Sequence, residues 1–137
     1  MFIVEFDYIC HKGSYAPIIP LLVKGKEWLE VWVFVDSGAT CSIFEMRDAE
    51  GLELDLSNIK PQMVVVGDGS FIPVYFTKLP IKIREIEFDA TIGFSERLGV
   101  GFNILGRKDI FEVFKVCFDD TKKVVSFGKE EGKAIVR

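Results

Sequence analysis

The chain has 137 residues, with 17 Lys+Arg against 21 Asp+Glu, a net charge of −4 and a pI near 5.1. At about 150 residues per domain this is one domain, residues 1–137, able to bury roughly two thirds of its unfolded surface. Hydrophobic residues at 49% and charged residues at 28% exclude disorder, and the acidic balance argues against nucleic acid, whose binders carry a basic footprint.

Cys10, Cys41 and Cys117 are odd in number and far apart, with no C-x-x-C pair. No disulfide scaffold is expected, and a reducing, cytoplasmic compartment is. The longest apolar runs, such as Val31 to Val35, fall far short of the roughly 18 residues a spanning helix needs, so no membrane partner is expected. The first nine residues carry Glu5 and Asp7 and no basic start, which reads as a strand rather than a signal peptide.

Taken in chain order, the pattern is of short strands. Phe2 to Ile9 alternates Val4, Phe6 and Tyr8 with Glu5 and Asp7, and Lys12-Gly13-Ser14 is a turn. Ile18 to Val23 is a strand whose Pro20 marks an edge or a bulge. Lys24-Gly25-Lys26 turns into the β-branched and aromatic run Trp28 to Val35, which Asp36 to Thr40 breaks and Cys41 to Phe44 resumes. Met46 to Leu54 predicts a helix that Gly51 weakens. Met63 to Val66 and Phe71 to Thr77 flank Gly67-Asp68-Gly69 as a hairpin. Leu79 to Arg84, Glu87 to Gly93 and Phe102 to Leu105 are further strands, and Gly106 opens a second helix over Arg107 to Val113. Phe114 to Phe118 and Lys123 to Phe127 close the chain as a hairpin around Asp119-Asp120-Thr121-Lys122. Strands spaced about 8–12 residues apart, with one or two short helices, predict an all-β, closed or nearly closed barrel.

Most chemistries are excluded by what the chain lacks. His11 is the sole histidine, so histidine triads and multi-histidine metal sites fall away, and no metal is expected. Cys41 has no histidine near it in sequence and reads as a small buried hydrophobe after a turn. Gly67-x-Gly69 and Gly99-x-Gly101 are isolated pairs, not phosphate loops. What remains is Val33-Phe34-Val35-Asp36-Ser37-Gly38-Ala39-Thr40, where a buried strand ends in a carboxylate. Asp-Ser-Gly alone is any β-turn, but apolar runs on both sides place this turn inside the molecule, where an Asp is costly unless hydrogen-bonded or paired.

With these residues the sequence resembles the retropepsin-like aspartic proteases, the single-lobe branch that includes retroviral proteases and their cellular relatives. Val35-Asp36-Ser37-Gly38-Ala39-Thr40 matches the hydrophobic-Asp-Thr/Ser-Gly-Ala signature. The Val64 to Phe76 hairpin looks like the flap, and Asn103-Ile104-Leu105-Gly106-Arg107 is similar to the apolar-apolar-Gly-Arg segment. The three elements, in order, span about residues 28 to 118.

The resemblance implies an acid-protease barrel with one lobe per chain, and an aspartic endopeptidase that needs no cofactor. Two-lobed relatives hold two Asp motifs; this chain has one, so a homodimer must supply the second carboxylate. It implies Asp36 as the catalytic residue, one copy from each chain, the two sharing a proton about an activated water. Ser37, Gly38, Ala39 and Thr40 would support the loop, with Ser37 bonding across the dimer axis. Val66, Gly67, Asp68, Gly69, Ser70 and Phe71 would form the flap over an extended peptide or protein substrate, with Phe71 and Ile72 as candidate pocket walls. Ile104, Leu105 and Gly106 would pack beneath the loop. Ala39 cannot donate a hydrogen bond to the carboxylate as a Ser there would, which points to a weakly acidic to neutral working pH. Three departures stand out. Asp68 puts a charge at the flap tip, Thr40 replaces the acidic partner that retroviral enzymes offer Arg107, and the termini are long. Met1 to Asp7 and Ala134 to Arg137 are the expected interface sheet. The alternative is a catalytically silent dimeric barrel that binds extended peptide in the same groove, although a pure binding module has no physical need of Asp36-Ser37-Gly38.

Overall fold

The β-branched and aromatic runs build twelve strands and one short helix over residues 2–130, the span that the computed structural model describes. The main sheet runs β4 (Ile18–Lys24), β5 (Trp28–Val35), β10 (Asn103–Leu105), β6 (Ser42–Glu45), β9 (Ile86–Ser95), β8 (Phe71–Ile83) and β7 (Gln62–Val65). A short extra pairing of β8 with β4, at Leu22–Lys82 and Val23–Ile81, closes the first six of these into a ring. Ile19, Val33, Phe44, Ile81, Ile92 and Phe94 fill its interior and are wholly buried. Pro20 pairs with Trp32 in the part of β4 that lies beyond the β8 contact, an edge position where its missing N–H costs no ladder bond.

Two smaller units flank the ring. β2 (Ile9–His11) and β3 (Ser14–Ala16) form a hairpin, and Tyr8 separates it from β1 (Phe2–Asp7), where the sequence reads one longer strand. β1 pairs along its full length with β12 (Val124–Lys129) of the same chain, and β12 pairs with β11 (Lys115–Asp119). Of the residues expected to form the interface sheet, Phe2 to Asp7 make up β1, and Met1 and Ala134 to Arg137 lie outside the described residues.

Other differences from the sequence reading have physical causes. Phe71 to Thr77 and Leu79 to Arg84 form one strand, β8, because it serves two cores from opposite faces. Ile72 and Val74 bury in a cluster with Ile43 and Leu98, whereas Leu79, Ile81 and Ile83 bury inside the ring. The buried positions switch from even to odd, so the period breaks in mid-strand. Arg107 to Val113 is not a continuous helix but two consecutive turns, closed by Ile110 and Phe111 N–H to the Arg107 carbonyl and by Val113 and Phe114 N–H to the Ile110 carbonyl. Asp109 interrupts it at φ 65°. Its carboxylate accepts the Thr91 N–H at 2.8 Å. The remaining helix, α1 (Met46–Gly51), is shorter than expected and is tied to β10 by Asn103, which accepts the Glu45 N–H and donates to Asp48. No helix among the described residues is long and apolar enough to cross a membrane.

Candidate active site

Val31, Val33 and Val35 of β5 point into the core, which fixes where the strand must end. Val35 donates its N–H to the Pro17 carbonyl, and Asp36 donates to the Leu105 carbonyl at 3.0 Å. There the chain turns back: Ala39 N–H bonds the Asp36 carbonyl, and Gly38 N–H donates to Asp36 Oδ1 at 2.8 Å. The carboxylate is half-buried and held by its own loop, the arrangement that makes an Asp tolerable at the end of a core strand.

The loop is stapled from below by the segment that follows β10. Gly106 donates to Ser42 Oγ at 3.0 Å, and the Arg107 and Lys108 N–H groups donate to the Ala39 and Thr40 carbonyls. A side chain at Gly106 would run into the Cys41 carbonyl and sit 2.9 Å from the Ala39 oxygen. Arg107, whose acidic partner is absent from the sequence, donates from Nη1 to the Ser37 carbonyl at 3.2 Å and lies 5.1 Å from the Phe111 ring centre. Leu105 is fully buried and Ile104 half-buried; Ile104 is in register with Phe34 on one side and Ile43 on the other.

The β7–β8 hairpin folds over this loop. Val66 and Ser70 pair across its end, Gly69 N–H bonds the Val66 carbonyl, and Gly69 takes φ 84°, a type I turn with a glycine bulge. Asp68 does not project its charge toward the groove. Its Oδ1 accepts both the Ser70 N–H at 2.8 Å and the Ser70 hydroxyl, which hold the carboxyl below its ordinary range.

Between hairpin and loop runs an apolar groove of about 450 Å³. Of the residues expected at the site it gathers Asp36, Gly38, Ala39, Thr40, Val66, Gly67 and Ile104. Ser37 faces a second cavity of about 420 Å³ on the other flank of Asp36, shared with Tyr8, Tyr15 and Phe118. Asp68, Gly69 and Ser70 stay at the exposed hairpin tip. Phe71 pairs with Val65 and is 61% exposed rather than lining the groove, while Ile72 is buried beneath the hairpin.

Val64 and Val65, which also line the groove, belong to the hairpin expected as the flap, whereas Ile43, Leu98 and Val100 were not singled out in the sequence. Leu98 and Val100 lie in the loop between β9 and β10, where Gly99 and Gly101 take φ 74° and 79°. The Gly99-x-Gly101 pair was the available signal, read only for phosphate binding. Cys41 also lines the groove. Burial pushes its thiol up, with the Thr40 hydrogen bond and Lys108 pulling back in part, which favours the inert reading. His11 packs edge-on against Phe102, whose ring stacks on Phe34, and it lines neither cavity. Among the described residues no group of three or more His, Cys, Asp or Glu is placed to hold a metal ion.

A closed six-strand ring, an Asp-Ser-Gly loop on its rim and a glycine-tipped hairpin above define the fold of a single-lobe acid protease. Solved structures agree. A retropepsin-like aspartic protease from Rickettsia conorii superimposes with a TM-score of 0.66 at 21% identity, over 92% of this chain and 91% of that one. EIAV protease complexed with the inhibitor HBY-793 superimposes at 0.59 and 17% identity, over 76% and 92%. No protein-family model and no curated protein sequence matches the chain. The chain therefore has the retropepsin-like fold.

Proposed function

We propose that the chain is one half of a homodimeric aspartic endopeptidase that hydrolyses peptide bonds in extended segments. The observation that carries this reading is the placement of Asp36. Its carboxylate sits on the rim of an apolar groove, held by the Gly38 N–H beneath a hairpin able to cover a strand-like peptide. One chain supplies one such carboxylate, and the chemistry needs two. In the dimer the ionised Asp36 takes a proton from a water lying between the pair, and that water's oxygen attacks the scissile carbonyl carbon. The protonated Asp36 of the other copy donates its proton to the carbonyl oxygen. Collapse of the tetrahedral diol breaks the C–N bond, with the first Asp36 giving its proton to the leaving amine and the second taking one back from a diol hydroxyl as the new carboxyl forms. No covalent enzyme intermediate and no cofactor enter these steps.

Ser37 is exposed at the loop apex, suited to a bond across the dimer axis, and Gly38 is exposed to substrate. The hairpin residues Val66 and Gly67 exclude water over the bond, and Ile104 floors the groove. Three free cysteines fit a reducing, cytoplasmic setting. The test is cleavage of a mixed peptide library from acidic to neutral pH by the wild type and by Asp36→Asn, with and without pepstatin. The reading expects cleavage that is abolished by the substitution and blocked by pepstatin. A wild type that cleaves nothing at any pH contradicts it.

A further inference from the structure

Thr40 lines the groove that holds Asp36 and also a further cavity of about 340 Å³, shared with Arg107, Lys108, Phe111 and Glu112. The two spaces meet at that residue, so a chain lying along the groove past Asp36 and Thr40 comes next to a pair of cations. Backbone bonds fix the pair there, since the Arg107 and Lys108 N–H groups donate to the Ala39 and Thr40 carbonyls.

Neither cation is neutralised within the chain. Among the described residues the ion pairs are Lys26 with Glu53 and Arg47 with Glu45, and neither Arg107 nor Lys108 takes part. Arg107 gives Nη1 to the Ser37 carbonyl and lies over Phe111, which leaves its other N–H donors without a protein acceptor. The carboxylates at hand are engaged elsewhere. Glu112 Oε1 accepts the Asp109 N–H at 3.0 Å, and the Asp109 carboxylate accepts the Thr91 N–H at 2.8 Å. The cavity lining thus carries two positive charges against one negative charge.

We infer that this cavity is a subsite for an acidic side chain of the substrate, its carboxylate held by the Arg107 guanidinium and the Lys108 ammonium. The inference rests on the peptidase reading above and adds a substrate preference to it. A guanidinium presents parallel N–H groups that match the two oxygens of a carboxylate, and the Phe111 ring restrains its plane. A basic side chain in the same place would meet two like charges. An extended peptide sends successive side chains to alternate faces, so it can offer one to the cavity while its neighbours face the hairpin. In a two-fold dimer the cavity occurs twice, once on each side of the scissile bond, so the preference belongs at equal distances on both sides.

Cleavage of a library of acetylated and amidated peptides, which carry no terminal carboxylate, tests this. The expected result is that Glu or Asp is favoured over Lys or Arg by about fivefold or more in kcat/KM at one flanking position on each side of the bond. The preference should shrink as salt is raised. Lys108→Glu should erase it or turn it toward basic residues, read as the ratio between acidic and basic substrates so that any general loss of activity cancels. Lys26→Glu makes the same change of charge at the far end of β5 and should leave that ratio where it is. Cleavage with no acidic preference, or a preference that survives intact in Lys108→Glu, overturns the subsite and leaves the peptidase reading standing. A wild type that cleaves nothing at any pH overturns both.

Discussion

Gly106 and the carbonyl of Cys41 lie so close that no side chain fits between them, and the Ala39 oxygen crowds the same point. The Asp36 loop owes its shape to that approach, since a strand passing beneath at any greater distance could not reach the Ala39 and Thr40 carbonyls. Gly106→Ala should therefore push the staple off the loop. The obstacle is backbone rather than a movable side chain, so the expected loss is on the order of 3 kcal/mol or more. Urea unfolding checks the stability, and peptide cleavage by the folded fraction should fall further than stability alone explains.

Ser42 tests the same staple without steric conflict. Its hydroxyl is wholly buried and accepts the Gly106 N–H. Ser42→Ala leaves that amide without a partner in a site closed to water, at an expected cost of about 1–3 kcal/mol. Ser42→Thr keeps the acceptor and should lose less, provided its methyl is accommodated. Chemical denaturation of the two variants side by side gives the comparison.

Arg107 occupies a different position in the argument, because it reaches the loop from solvent. Its contacts, the Ser37 carbonyl and the Phe111 ring, are exposed, so Arg107→Ala should cost about 1 kcal/mol of global stability. Its effect on catalysis should be larger, since it fixes the apex of the loop expected at the dimer axis. Lysine cannot reproduce a planar guanidinium that stacks while it donates, so Arg107→Lys should behave much like Arg107→Ala. Catalytic rate and dimer dissociation, measured together, check this.

The Tyr8 hydroxyl donates to Asp120 Oδ1 at 2.7 Å beside the second cavity. Burial first, then the hydrogen bond and charge of Asp120 and the charge of Asp119, push its phenol from 10.0 up to about 12. The folded chain thus keeps a proton that the unfolded chain releases near 10.0, so Tyr8 contributes fully below that pH and its contribution is lost as pH rises through about 12. Alkaline titration of phenolate absorbance, wild type minus Tyr8→Phe, should show one group ionising near the upper value.

How much was legible in the sequence depends on whether a residue acts locally. Asp36 to Thr40 and the glycine-tipped hairpin announce themselves because turn chemistry is written in adjacent residues. Gly106 stands out in the sequence because its neighbours repeat a known pattern, yet the Cys41 carbonyl that leaves it no room for a side chain is 65 positions away. Asp68 looked anomalous as a charge at a groove, and only the Ser70 geometry shows it serving the turn itself. β8 was split in two because its buried face changes as it leaves one core for another, which no single period describes. The pairing of β1 with β12 joins the two ends of the chain and leaves no local trace at all.

The central claim is that one active site takes an Asp36 from each of two chains. Mixing wild type with Asp36→Asn under subunit exchange, at a constant total concentration and in varying proportion, tests it directly. If both carboxylates are required, activity follows the square of the wild-type fraction, and an equal mixture retains about a quarter. Activity falling in simple proportion, to about half, would mean each chain works with its own Asp36 alone and would contradict the account.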